Sequence, residues 1–530
     1  MTDFFLKYKS NILFLFLLLT VSLLYNYQNI LFHRPYSIHQ WRQADCLSIT
    51  MNYYQENRNF FEPAIHWVGE KDGKTVSECP LIYYSVAQLW QVFGYHEFIF
   101  RLLNLLIVFS GLFCLYKLIQ GLIEDTFWSL TITFLLFTSP ILAYYSNNFT
   151  ADAPAFGFAL IGCYFIWKGL EQQKKGWYYL SFLFFLLGSL LKISSLIIFI
   201  AILSIHLYLV LFSKKEKKWF YKWYALIPYL IVLSVLFAWY NFAIHYNQKN
   251  LGGVFLTGIY PIWDIDAHLR KNIWLIFRRD LLPAYFNVKM LYLTLSLFIV
   301  QFFFYRKLNR VLFFMSILVF IGVVSYMLLF YQAFALHDYY LTNLLIFIPL
   351  PFIIMLEMLK RNYPGILNKL PVKVLVFCVL LLLIYKTSVI NRMKYSTDDW
   401  IVKTNFWVNK GTINYWAGFH RDYSNHFKAF ETITPYLRSI GLKRTDRVLS
   451  QSDGSFNMSL YFMDQKGFTA FGYPDWTFDE KMEFYRNNGV KFLIIDSILN
   501  KENYLKPYIN SKIGEYQNIS IFTLKSNNNK

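Results

Sequence analysis

The residues of this chain best suited to chemistry are the carboxylates Asp45, Glu78 and Asp152, together with Lys192, Arg279, His337, Tyr339 and Tyr340. A placed carboxylate can take the proton from an attacking hydroxyl, an effect that contributes about 10² to 10⁴ in rate. Cations and tyrosine hydroxyls can stabilise negative charge growing on a departing oxygen. Asp45 and Glu78 share one polar, acid-bearing stretch, His39 to Tyr84, set between runs that only lipid can hold. Local geometry cannot bring two acids so far apart in the chain together, so their meeting is an expectation about how this loop packs. Arg42 and Gln43, just before Asp45, are candidates for positioning the substrate. Glu78 precedes Pro80, a residue favoured in the first turn of a helix, whose positive end keeps a carboxylate ionised.

The elements that must position these groups lie in a membrane. The chain has 530 residues, 56% of them hydrophobic and 21% aromatic, with repeated apolar runs of about 20 residues, and only a polytopic helical membrane protein fits. The net charge of +19 would suggest nucleic acid in a soluble protein. Here lysine and arginine collect in loops, the pattern of cytoplasmic loops, and no nucleic-acid partner is expected. Lys7 and Lys9 precede a first span from Ile12 to about Phe32 that lacks a small-residue cleavage site. Further spans are expected at about 98–118, 127–145, 155–168, 177–191, 194–212, 224–244, 286–304, 311–331, 340–358 and 373–390, about 11 in all.

Orientation follows from basic residues in the short loops. Those assigned to the cytoplasm hold Lys168, Lys174 and Lys175; Lys214, Lys215, Lys217, Lys218 and Lys222; Arg306, Lys307 and Arg310; and Lys360, Arg361, Lys369 and Lys373. The expected arrangement is a multi-pass protein of the cytoplasmic (inner) membrane with its amino terminus in the cytoplasm. It comprises a transmembrane catalytic domain over 1–391, whose outer loop 33–97 carries the acids, and a periplasmic soluble domain over 392–530. In the opening loop, Ile38 to about Asn57 has helical spacing, with Trp41, Ala44, Leu47 and Ile49 on one side and Arg42, Asp45 and Asn52 on the other. That pattern suits a helix lying in the interface plane.

Each remaining candidate has a plain alternative. Asp152, two residues before Pro154, is also a helix start signal, and the roles of cap and supporting acid are compatible. Lys192 interrupts a long apolar stretch; at mid-bilayer it would cost on the order of 3 kcal/mol, so it belongs at the outer end of a tight pair of spans. There it meets an anion or snorkels from a turn. The outer loop of about 245–283 carries Asp264, Asp266, His268, Arg270, Lys271, Arg278, Arg279 and Asp280, read either as solvated or as facing a phosphate or lipid head group. His337, Asp338, Tyr339 and Tyr340 open span ten on the same outer side.

Cys114, Cys163 and Cys378 sit in apolar runs as small buried hydrophobes, while Cys46 and Cys79 adjoin the acids and leave a disulfide open. Asn148, Asn457 and Asn518 stand in glycosylation sequons of a length that arises often by chance. In the tail, the short β-rich runs RVLSQ, FTAF, KFLIID and SIFTLK alternate with helical stretches such as EKMEFYRNN. A small α/β domain with a partly parallel sheet follows, expected to cap the site or recognise the acceptor without catalytic residues of its own.

Carboxylates, cations, a histidine and tyrosines gathered on one face, where an amphiphile can enter from the bilayer, suit transfer of a sugar from a lipid phosphate. WRQAD, SECPLIYY, RLLNLL, TADAP, LLKISS, HDYYL and SLYFMDQKGF together resemble membrane glycosyltransferases of the GT-C class, in particular bacterial relatives of the protein O-mannosyltransferases and the lipid A aminoarabinose transferase. The resemblance implies a GT-C fold, a polyprenyl-phosphate-linked sugar donor, a hydroxyl acceptor (glycolipid, glycan or protein) and inversion at the anomeric carbon. It also implies that Asp45 is the general base or the acid orienting the acceptor, that Glu78 is its partner and that Asp152 is a supporting acid. Lys192, His337, Tyr339 or Tyr340, and Arg279 would face the donor phosphate. In several relatives a second acid follows the first directly; here Cys46 does, which removes one ligand from a metal-binding reading. A divalent cation such as Mg²⁺ or Mn²⁺ suits oxygen ligands but is not demanded, and no metal or cofactor is expected. The rival classes are a lipid-linked glycan polymerase or ligase, which differs in acceptor, and a transporter, for which no internal repeat is found.

Overall fold

The computed structural model describes residues 2–212, 218–252, 255, 258–499 and 504–525, with side chains from residue 9 onward. Lys214, Lys215, Lys217 and the side chain of Lys7 lie outside the described residues. The chain divides into two compact units. The first joins Met1–Leu31, Arg101–Tyr240 and Gly258–Arg392; the second joins Phe32–Phe100, Asn241–Thr257 and Met393–Lys530.

The first unit is a bundle of apolar helices. Among the described residues, 7 helices are long and apolar enough to cross a membrane, and up to 9 if each of two bent pairs counts as one span. With the shorter apolar helices Lys9–Leu24 and Lys175–Leu191, every expected span has a helical counterpart. The bends have local causes. Thr126–Phe137 and Pro140–Ser146 meet at 78°, where Pro140 cannot continue a helix and Ser139 caps the next one by accepting from the Leu142 N–H. Ala267–Tyr285 and Val288–Phe303 meet at 88°, where Asn287 accepts from Lys289 and Met290 N–H groups. The expectation of an outer loop over 245–283 is thus corrected: the chain is helical again from Ala267, capped by Asp266.

Glycines set a close crossing. A Cβ on Gly188 would meet the Ala155 carbonyl oxygen at 2.9 Å, and one on Gly169 the Tyr178 backbone nitrogen at 2.7 Å. The helices Asp152–Glu171 and Lys175–Leu191 therefore run against each other backbone to backbone, the packing that small residues permit in lipid. This carries the end of one helix, where Lys192 follows, back to the start of the other at Asp152. Residues Asp338–Phe347 wind as a 3₁₀-helix before the α-helix Pro349–Asn362.

In the second unit, the helix Gln40–Glu56 is buried on nearly every side, with only Trp41 and Gln55 exposed. Both its apolar and its polar faces meet protein. The helix Leu81–Phe93 packs beside it. A five-stranded sheet is built from β1 (Arg447–Ser450), β2 (Gly467–Thr469), β3 (Val490–Asp496), β4 (Ile509–Tyr516) and β5 (Ile519–Leu524), in the order β2-β1-β3-β5-β4. β1 is parallel to β2 and β3, while β5 is antiparallel to β3 and β4. Leu449, Phe468, Leu493, Ile495 and Phe522 form its core with Met482 and Tyr485 of the helix Phe478–Asn487. That helix starts with a capping box between Thr477 and Glu480.

Candidate active site

In the second unit the helix Gln40–Glu56 places Arg42 and Asp45 one turn apart on one face. Arg42 pairs with Glu78, both nearly buried, and Glu78 also accepts from the hydroxyls of Ser77 and Tyr83. Tyr83 belongs to the first turn of the helix Leu81–Phe93, so the two helices carry the acid cluster between them. The Tyr83 hydroxyl lies 3.3 Å from the Cys46 sulfur. The Arg42 guanidinium stands 4.9 Å over the Phe255 ring.

Asp45 is buried, and burial pushes its carboxyl up to about 8 against the opposing pull of Arg42; Asp453 and Glu78 push the same way as burial. Asn457 moderates this by donating from Nδ2 to Asp45 Oδ1 at 3.5 Å. Its orientation is settled by its other atom. Asn457 Oδ1 accepts from the His66 and Trp67 backbone N–H groups at 3.1 and 3.2 Å and from the Ser48 hydroxyl at 3.3 Å. Only the nitrogen remains to face Asp45. Gln43 is committed otherwise: its side-chain nitrogen donates to the Tyr36 and Ile38 carbonyls at 2.8 and 2.9 Å, closing the turn that enters the helix.

In the first unit Lys192 ends the helix Lys175–Leu191 in an extended conformation, and its ammonium lies 3.3 Å from Asp152 Oδ1. The same ammonium stands 5.2 Å from the Tyr339 ring centroid and 5.6 Å from that of Tyr340. His337 stacks on Tyr340 at 5.9 Å and tilts against Tyr339 at 5.2 Å. Asp338 accepts from the Tyr145 hydroxyl. Asp152 opens its helix, but the N-cap is Ala151 and no side chain caps the start, so its carboxylate serves Lys192 rather than the helix end.

The strand of chain leading to Asp152 is held from the helix Phe98–Ile123. Arg101 donates to the Asn147 carbonyl and lies 4.0 Å over the Phe149 ring, while Asn104 donates to the Asn148 and Thr150 carbonyls at 2.8 and 3.1 Å. Three residues apart, the two side chains leave one face of the apolar first half of that helix, and that spacing was the available signal for them. Asn457 and Tyr145 had none, because their partners come from distant segments, whereas Tyr83 lies within SECPLIYY, five residues from Glu78.

Arg279 does not join the first unit's cluster. It is largely exposed and pairs with its neighbour Asp280 at 2.7 Å. Cys46 and Cys79 are free buried thiols, both pushed up to about 12 by burial, so the disulfide left open does not form. Cys378 is exposed, on the outward face of the helix Leu370–Met393, instead of buried. The sequon residues Asn148 and Asn457 are buried, and Asn518 donates to the Asn425 carbonyl at 3.0 Å. Among the described residues no group of three or more His, Cys, Asp and Glu side chains is arranged to hold a metal ion.

Residues 77–240 match the family described as dolichyl-phosphate-mannose-protein mannosyltransferase. No curated protein sequence matches the chain. Among solved structures, ArnT from Cupriavidus metallidurans in the apo state is similar with a TM-score of 0.58 at 10% identity, covering 97% of each chain. The same protein bound to undecaprenyl phosphate gives a TM-score of 0.57 at 10% identity, covering 97% of this chain and 98% of that one. The Archaeoglobus fulgidus oligosaccharyltransferase, tethered with an acceptor peptide containing the NVT sequon, gives 0.52 at 12% identity over 97% of this chain and 74% of that one. At these identities the likeness is one of fold.

Proposed function

We propose that this chain, a membrane glycosyltransferase of the GT-C type by its fold and its matched segment, moves a sugar from a polyprenyl-phosphate donor to a hydroxyl acceptor on the outer face of the cytoplasmic membrane, with inversion. The observation that carries this reading is Asp45: a buried carboxyl, one helical turn from the fixed Arg42–Glu78 pair, with its ionisation moved to about 8. Such a group accepts a proton near neutral pH.

In the proposed step the acceptor oxygen attacks the anomeric carbon, the carbon–oxygen bond to the phosphate breaks, and Asp45 takes the hydroxyl proton. The lipid phosphate leaves as a monoester. Arg42 and Glu78 hold the local field and geometry, and Gln43 fixes the entry turn. Lys192, kept in place by Asp152 and flanked by Tyr339 and Tyr340, has the charge to neutralise a departing phosphate, with His337 beside the tyrosines. The relative bound to undecaprenyl phosphate supports a donor of this kind. A divalent cation is not required by any step.

The test is transfer by the purified chain in lipid nanodiscs supplied with polyprenyl-phosphate sugars, alongside mass spectrometry of envelope glycolipids and glycoproteins from cells with and without the gene. A sugar-bearing product lost with the gene and formed by the purified chain is expected. No product from any polyprenyl-phosphate sugar, with unchanged envelope glycans, would overturn the reading.

A further inference from the structure

The second unit carries a surface that neither the acid cluster nor the sheet explains. Over residues 400–415 the chain turns large aromatic side chains outward: Trp400 is 71% exposed, Phe406 72%, Trp407 43% and Tyr415 68%. The inner side of the same stretch is well packed, since Val402 and Trp416 are buried with Met393, and Val408, Ile413 and Phe419 pack against them. The segment is therefore folded, with its aromatic rings held away from its own core. Asp399 caps the turn Trp400–Lys403 and Asn409 caps the helix Lys410–His426, so the outward positions are fixed by local structure.

Chain connectivity says what covers these rings. The membrane helix Leu370–Met393 ends seven residues before Trp400, and seven residues reach at most about 25 Å. Tryptophan and tyrosine favour the headgroup level, where an apolar ring meets lipid and its polar edge meets water. Lys410 stands exposed among them and can point to a headgroup phosphate, while Lys403 pairs with Asp398 at 2.8 Å. We propose that residues 400–415 form a lipid-surface anchor, seated in the headgroup region of the leaflet at the carboxyl end of the last membrane helix. It holds the second unit down on the bilayer.

The anchor is tested on the full chain in phosphatidylcholine/phosphatidylglycerol nanodiscs, with Cys378→Ser to remove the exposed thiol. A spin label is placed at Phe406→Cys or Tyr415→Cys, and a control at Lys512→Cys on the exposed strand β4. Power saturation compares collisions with oxygen, which concentrates in lipid, and with a water-soluble nickel chelate. Oxygen access relative to nickel is expected to be roughly threefold or more higher at 406 and 415 than at 512, as for a side chain at the lipid interface. Equal ratios at all three sites would overturn the anchor. So would low access to both colliders with broadening by a neighbouring label, which would mark contact between two copies of the chain.

Discussion

Asn457 turns its amide nitrogen to Asp45 Oδ1 at 3.5 Å, although 412 residues separate the two in the chain. The segment around β1 and β2 is thus more than a cap: it supplies the neutral donor beside the proposed base. Replacing Asn457 by Asp keeps an acceptor for the His66 and Trp67 N–H groups but swaps the donor for a negative charge. The rate-controlling ionisation should then move to higher pH by about one unit, equivalent to about 1.4 kcal/mol. A transfer–pH profile measured on both proteins checks this; an unmoved profile would leave Asn457 a purely structural link.

Asp45→Asn should lower transfer by about 10² to 10⁴ with expression and insertion intact. In the native chain, Asp45 must be ionised to accept a proton, so transfer should climb as pH rises towards about 8 and level off above it. The stability effect has the opposite sense. A carboxyl raised in the folded state favours folding at low pH, and that advantage is lost as pH rises through about 8. Melting temperatures measured from pH 5 to 9 should therefore fall further for the native chain than for Asp45→Asn.

Arg42→Ala strands Glu78 without its cation and should cost about 3 to 5 kcal/mol, the usual penalty for breaking a buried pair. The double variant Arg42→Met, Glu78→Leu should recover most of the melting temperature without recovering transfer. Recovery of transfer would show the pair to be scaffolding alone.

Lys192→Ala should raise the KM for the lipid-linked donor by roughly 10- to 100-fold, the scale of a hydrogen bond to a charged group, with the acceptor KM changed much less. Steady-state kinetics with each substrate varied in turn separates the two. Equal changes would make Lys192 a structural partner of Asp152.

Gly188→Val places methyl groups where the Ala155 carbonyl already limits approach. Overpacking there should cost about 1 to 3 kcal/mol and part Lys192 from Asp152, so transfer should fall along with the melting temperature. Ser204→Val, outside the crossing on the helix Leu196–Phe212, should leave both unchanged.

Much of the fold was legible because lipid imposes simple rules. Long apolar runs gave the helices, and a lysine such as Lys192 or an acid such as Asp152 stands out wherever a run is interrupted. The strands of the tail were readable from β-branched runs, except β4, whose INSKIGEY is an edge strand with most residues exposed and little apolar pattern. The bends at Ser139-Pro140 and Asn287 were available as cap and breaker signals but were hidden inside continuous hydropathy. What surrounds Asp45 was not legible. The helix Gln40–Glu56 has an amphipathic pattern, which cannot distinguish water from a second protein surface on its polar side. That Arg279 pairs with its neighbour Asp280 was not legible either, since a run of charges does not say which of them pair.

A 3₁₀-helix rises about 2.0 Å per residue where an α-helix rises 1.5 Å. The ten residues Asp338–Phe347 therefore extend about 5 Å further than an α-helix of the same sequence, close to one full pitch. Counting residues along the segment as ordinary helix would set His337, Tyr339 and Tyr340 roughly 4 to 5 Å too close to its far end. The tighter winding gives the start of the segment its reach, and an inserted residue there would rotate the tyrosine pair off the lysine as well as lengthen the span.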